Sequence, residues 1–402
     1  MDAALQAVLW EQLGAMLSEP ETSKSQSIAP INRLPSEILA MIFTLASNRC
    51  IIHDETDSGS QLVMPTIFSS VCGLWRQISL STCSLWSHLD ISMKNFEYGV
   101  PCHRWELWES RSRPGPLSVH ISDEGFTWGR EAAEAMVTEI VSFLTPHMTR
   151  VSEIHAMSCK SKFPNYMLDV LALWAREGAA KPARLLKIGD HKSAFGDINL
   201  RGRLSHTAQP VTTDNFEAFF QSLHTLHLHR AFIPWDSSVY HGLVDLYLTA
   251  GAHSPQQWFP TQSQLARVLA ACPKLRSLRL TDFTVRLDRD FIPSPIILDH
   301  LEVLSLLQPN SFDYKIMKRV LPLIGSSSSS FEVSLKLNME TDFTAITRSF
   351  FSRCNLTRLH LSTQNLPVQC ILPLLAGHVS RLHSCLICVP GLCPAWFDCM
   401  FV

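Results

Sequence analysis

Apolar residues fall into two rhythms along the chain. From residue 86 onward leucines and other apolar residues alternate with polar residues in short runs. The pattern Leu-x-x-Leu-x-Leu occurs in full five times, as LHTLHL at 223, LVDLYL at 243, LRSLRL at 275, LEVLSL at 301 and LTRLHL at 356. Degenerate copies are WSHLDI at 86, PLSVHI at 116, VSEIHA at 151, ARLLKI at 183 and VSLKL at 333. The final apolar residues, at 91, 121, 156, 188, 228, 248, 280, 306, 337 and 361, lie mostly 20 to 35 residues apart. Alternation with a period of two predicts a short strand with one apolar face in each run. One such unit cannot bury that face alone, whereas stacked copies can. Between strands the spacing turns helical, most clearly in QLARVLAACPKL, where Leu265, Val268 and Leu269 share a face and Pro273 follows. The expected fold class is therefore α/β, a curved parallel sheet with helices and loops on its convex side. An ordinary α/β sheet with leucine-rich strands is the alternative that shares this alternation.

The second rhythm is helical and lies nearer the N-terminus. Leu5, Leu9, Leu13 and Met16 mark one stripe of an amphipathic helix, and SEPETSKSQS at 18–27 reads as a linker. Leu34 and Pro35 stand directly before a helix with Ile38, Leu39, Ile42 and Phe43. After a loop from Asn48 to Met64, a second helix starts at Pro65, with Ile67, Phe68, Val71, Cys72, Trp75 and Ile78 at three- and four-residue steps. A third element, STCSLW, ends at Trp86. Three helices this small cannot bury all of that surface against one another. Some of it must dock elsewhere.

Leu34, Pro35, Glu37, Ile38, Leu39, Ile42 and Phe43, then Val71, Cys72, Trp75, Arg76 and Ile78, then Leu85 and Trp86, resemble the F-box pattern in order and residue type. The resemblance implies three helices that bind the Skp adaptor of a Skp-cullin-F-box ubiquitin ligase. The contact residues it suggests are Leu34, Pro35, Ile38, Leu39, Ile42, Phe43, Val71, Cys72, Trp75, Ile78, Leu85 and Trp86. An F-box followed by irregular leucine-rich repeats resembles a common architecture of substrate receptors. The expected organisation is a helix and linker at 1–27, an F-box-like domain at 28–92, repeats at 86–390 and a tail at 391–402. The function implied is non-catalytic substrate recognition, with the Skp adaptor, a cullin and a protein substrate as partners. A leucine-rich-repeat scaffold with a degenerate F-box and no ligase role stays open beside it.

Charge and chemistry narrow the picture. With 34 basic and 36 acidic residues the net charge is -2, so neither nucleic acid nor an acidic membrane is an expected partner. Twelve cysteines, with Asp2 and Glu11 and no basic residue in the first sixteen, suggest reduced thiols in the cytoplasm or nucleus. The segment 384–402 is long enough to span a bilayer, but two prolines and Asp398 argue against it. Cys385, Cys388, Cys393 and Cys399 supply a single Cys-x-x-Cys step and read as buried thiols in a last strand and coil. The serine run at 326–330 reads as a flexible loop. No Gly-x-Gly, Gly-x-Ser-x-Gly, phosphate loop or His-Glu-x-x-His is present, and His224, His227 and His229 lack a further metal ligand, so no catalytic residue, cofactor or metal is expected.

In each repeat the residue between the last two apolar positions must point away from the core. That column is Asp90, His120, His155, Lys187, His227, Tyr247, Arg279, Ser305, Lys336 and His360. Among them His120, His155, Lys187, His227, Tyr247, Arg279, Lys336 and His360 are the expected substrate-binding residues. After Asp90 the column is free of acids, which favours an acidic or phosphorylated segment as its ligand.

Overall fold

The computed structural model describes residues 30–47, 64–92, 103–122, 130–158, 165–178, 182–190, 198–205, 207, 209–250, 254–307, 315–337, 343–363 and 382–388. The expected N-terminal helix and linker, residues 48–63, and Cys393 and Cys399 lie outside them. The chain divides into two compact units, one of residues 1–89 with 102–116, the other of residues 90–101 with 117–402.

The first unit is helical. A 3-10 turn at Pro30–Arg33 leads into α1 (Ser36–Ser47), followed by α2 (Met64–Val71), α3 (Gly73–Ser81) and a 3-10 turn at Cys83–Trp86. The single helix expected from Pro65 is thus two, broken where Cys72 is extended at φ -158°. Several local bonds favour the break. The hydroxyls of Ser69 and Ser70 donate back to the Thr66 carbonyl at 2.8 and 2.6 Å, and Arg76 Nε donates to the otherwise orphaned Ser69 carbonyl at 2.8 Å. Gly73 adds backbone entropy that resists a continuous helix.

Aromatic rings organise this unit. Phe43 stacks on Phe68 with centroids 4.4 Å apart and meets Trp75 at 4.7 Å, while Trp75 Nε1 donates to Asn32 Oδ1 at 2.7 Å. Trp86 is fully buried, donates from Nε1 to the Ser79 carbonyl at 2.8 Å, and packs edge-on to Trp108 at 5.3 Å. Trp108 belongs to α4 (His103–Ser112), and Arg111 of the same helix lies 4.3 Å over the Trp86 ring. This helix falls in the stretch expected to carry only repeats, and it joins the first unit because Trp105 and Trp108 are buried there.

The second unit is built on a parallel sheet. Its strands are β1 (His88–Ser92, of which residues 90–92 belong to this unit), β2 (Leu117–Ser122), β3 (Val151–Ser158), β4 (Leu185–Asp190), β5 (Thr225–His229), β6 (Asp245–Thr249), β7 (Ser277–Thr281), β8 (Val303–Leu307), β9 (Ile324–Leu337), β10 (Cys354–Thr363) and β11 (Ser384–Cys388). They are ordered in the sheet as in the chain, and a short strand at Ile296–Ile297 pairs with the start of β9 to make twelve among the described residues. Parallel neighbours need a crossover, and helices supply most of them, including Asn165–Glu177, Gln262–Ala270 and Phe343–Ser352. The second of these starts on a capping box: Thr261 Oγ1 accepts from Gln264 N at 3.2 Å, and Gln264 Oε1 accepts from Thr261 N at 2.9 Å.

Apolar alternation sets the register. Ile121, Ala156, Ile188, Leu228, Leu248, Leu280, Leu306, Leu335, Leu361 and Ile387 face one another from strand to strand. The two inward leucines of the strands β5 to β8 are at most 3% exposed. One expected position shifts: Leu335, not Leu337, aligns with Leu306.

The serine run is strand rather than loop. Ser326 is buried and its hydroxyl donates to the Leu301 carbonyl at 3.0 Å, and Ser327 Oγ donates to Asp299 Oδ1 at 2.5 Å. The ladder between β9 and β10 shifts register between Ser326 and Phe331. Thr357 patches that gap: its Oγ1 accepts the Phe331 N–H at 2.9 Å and donates to the Phe331 carbonyl at 3.0 Å. Thr357→Val keeps the shape and removes both of these bonds, so it is expected to cost about 1–3 kcal/mol. Chemical denaturation of the two proteins measures this, with Thr357→Ser expected to restore most of the loss.

Candidate binding surfaces

The residues implicated by the F-box resemblance separate into two sets. Leu34, Leu39, Phe43, Ile78, Leu85 and Trp86 are buried in the first unit's own core. They hold the helices together and cannot form an outer contact surface. Pro35 and Val71 are exposed, and Ile38, Ile42, Cys72 and Trp75 are half-buried. Helix α1 explains the division. Leu39 and Phe43, four apart, form its buried stripe, whereas Ile38, Met41, Ile42 and Leu45 form a second apolar stripe at the i, i+3, i+4, i+7 spacing. Met41 is 39% and Leu45 37% exposed, and Leu74 and Leu80 of α3 are exposed as well. Sequence reasoning missed Met41, Leu45, Leu74 and Leu80, although the spacing of the first two continues that of Ile38 and Ile42.

In the second unit one sheet face carries the expected column. His120, His155, Lys187, His227, Tyr247, Arg279 and Ser305 are consecutive register partners, and the row runs on through Ser334, His360 and Leu386. Lys336 is therefore not in this row. It keeps the same face but sits two residues further along β9, opposite Ser362, because Val333 and Leu335 fill the two inward positions. His120 and His155 are buried and stacked on each other at 3.8 Å, which removes them from an accessible surface. Lys187, His227, Tyr247, Arg279 and His360 are half-exposed. His227 meets Tyr247 edge to face at 5.5 Å.

The neighbouring row on the same face has the opposite character. It reads Glu153, Leu185, Thr225, Asp245, Ser277, Val303, Glu332 and Arg358. Two of its acids are engaged: Asp245 accepts from the Thr225 hydroxyl at 3.2 Å, and Glu332 lies 3.7 Å from Arg358. Burial pulls the Lys336 ammonium below its ordinary range against the opposing pull of Asp282. Burial likewise lowers His360, with Glu332 opposing, so this imidazole is neutral at pH 7 and charges only in acid. Cys385, expected to be buried, is exposed on β11, where burial of part of its surface still raises its thiol.

No protein-family model and no curated protein sequence matches the chain. Among the described residues no helix is long and apolar enough to cross a membrane.

Proposed function

We propose that the chain is a non-catalytic substrate receptor of a Skp-cullin-F-box ubiquitin ligase. The first unit binds the Skp adaptor, and the second, read as a leucine-rich-repeat solenoid, binds a protein substrate on its sheet face. The observation that carries this reading is the second apolar stripe of α1, Ile38, Met41, Ile42 and Leu45, left outside a core that Leu39 and Phe43 already fill. A partner that buries this stripe would recover the apolar contact that so small a unit cannot supply for itself. The order of motifs along the sequence, Leu-Pro, then Val-Cys-x-x-Trp-Arg, then Leu-Trp, supports the Skp adaptor as that partner. The mechanism on this reading is proximity: the receptor holds a substrate near the transferring enzyme and does no chemistry itself.

Co-purification tests it. The full chain expressed with a Skp adaptor and a cullin is expected to elute with both as one stoichiometric complex. A folded chain that elutes without the adaptor at micromolar concentrations would overturn the ligase reading and leave a plain repeat scaffold.

A further inference from the structure

The middle row carries two fixed cations, Lys187 and Arg279, with His227 between them, and His360 beyond, which charges only in acid. Lys187 on β4, Arg279 on β7 and His360 on β10 are each separated by three strand steps. Neighbouring strands stand about 4.8 Å apart, so each gap is about 14 Å. An extended peptide advances about 3.4 Å per residue and covers that gap in about four residues.

Arg279 is the centre of this row, and unlike the exposed arginines Arg184, Arg267, Arg289 and Arg348, which also lack a side-chain partner among the described residues, it is half-buried. Arg276 pairs with Glu302 at 2.7 Å, Arg201 with Glu217 at 3.1 Å and Arg358 with Glu332 at 3.7 Å. Arg279 has neither an acid nor a hydrogen-bond acceptor among the described residues, although it is half-buried. Its register partners on either side are Tyr247 and Ser305, which bring a phenol and a hydroxyl to the same row. The nearest acid of the adjoining row, Asp245, is already an acceptor for Thr225. A half-buried arginine without an anion, between the half-exposed Tyr247 and the buried Ser305 in register, is a site at which a carboxylate or phosphate gains charge-assisted bonds without displacing an existing partner.

We propose that this row binds an extended anionic peptide lying across the strands, with an oxyanion at every fourth residue and Arg279 as the central anchor. The proposal rests on the reading of the sheet face as the substrate surface. It adds the ligand's chemistry, its conformation and its spacing. His360 strengthens one end in acid, where its imidazole charges.

The probes are fluorescent peptides about twelve residues long, on a Ser/Ala background, with glutamate, phosphoserine or glutamine at every fourth position. A second set places whichever oxyanion binds at every third position instead. At low salt the full chain is expected to bind at least one of the two every-fourth anionic peptides, and about tenfold more tightly than the glutamine peptide. The preferred arm identifies the oxyanion as carboxylate or phosphate. Arg279→Glu is expected to lose that binding about tenfold or more and Arg279→Lys part of it, whereas Lys274→Glu, at an exposed residue outside the row, leaves it unchanged. Failure of both anionic peptides to exceed the glutamine peptide overturns the proposal. So does an equal loss in Lys274→Glu, or equal binding of the every-third set. Adaptor capture is measured on the same preparations: a chain that binds peptide but no adaptor overturns only the ligase reading, and one that captures adaptor but fails the peptide arms overturns only this proposal.

Discussion

Glutamate at both Met41 and Leu45 is expected to abolish adaptor capture, weakening it at least about a hundredfold, while the first unit stays folded. Each side chain lies on the outer stripe of α1 and is more than a third exposed, so its replacement leaves the buried stripe of Leu39 and Phe43 intact. Exposed substitutions of this kind change stability by about 0.5 kcal/mol, and two carboxylates four residues apart on a helix add a few tenths through repulsion. In the bound state the same carboxylates would lie in a desolvated apolar contact. There the loss of two anchors costs about 2 kcal/mol or more each, which exceeds a hundredfold in affinity. Leu107→Glu, at an exposed leucine of α4, serves as the control and is expected to bind normally. Capture by the double variant within about threefold of the unmodified chain would remove α1 from the contact. The more obvious test, alanine at Leu34 and Pro35, is confounded because Leu34 is buried in the unit's own core.

Trp86→Ala is expected to destabilise the first unit by about 3–5 kcal/mol, a large share of what so small a unit possesses. The loss has three parts. A fully buried indole is deleted, the Ser79 carbonyl loses its 2.8 Å donor, and Trp108 and Arg111 lose the ring they pack against. Trp86→Phe retains much of the burial but not the hydrogen bond, and is expected to recover more than half of the loss. Denaturant melts followed by tryptophan fluorescence measure both variants. An alanine variant as stable as the unmodified chain would mean that Trp86 does not hold this unit together.

Much of the sheet was legible because each strand repeats one simple constraint. A leucine at every second position has one face to bury, and LHTLHL, LVDLYL, LRSLRL and LEVLSL each state it without ambiguity. The reading slipped at β9, where Val333, Leu335 and Leu337 alternate over three apolar positions. Period two alone then fixes the face but not the phase, and the phase is set upstream by the irregular ladder between Ser326 and Phe331. That irregularity depends on Thr357, a residue 26 positions away whose side chain substitutes for backbone, and no local pattern announces it. Similarly, the apolar spacing from Ile67 to Ile78 runs through Cys72 as though the helix were continuous. What breaks it is a set of weak signals, two serines, one glycine and an arginine reaching back to a carbonyl.

The candidate surfaces were legible in outline only. Motif resemblance named core and surface residues of the helical unit together, because both kinds recur in such a motif. Met41 and Leu45 become visible only once the buried stripe of α1 is known. Helix α4 was missed because HRWELWESRS reads as polar, with its two tryptophans three residues apart as the sole sign of a buried face. On the sheet, alternation located the row of Lys187, Arg279 and His360 correctly but could not reveal that His120 and His155 are occluded by stacking.

Because the strands lie in the sheet in the order in which they occur along the chain, an inserted strand with its crossover moves everything beyond it by one strand spacing. Inserting one repeat between β4 and β7 would widen the separation of Lys187 and Arg279 by about 4.8 Å, between one and two residues of an extended partner. Neither residue, nor the surroundings of either, would have to change. On the proposed reading of this row, duplication and deletion alone would retune the distance between its two anchors, much as a ruler is changed by adding a division rather than by recutting its marks.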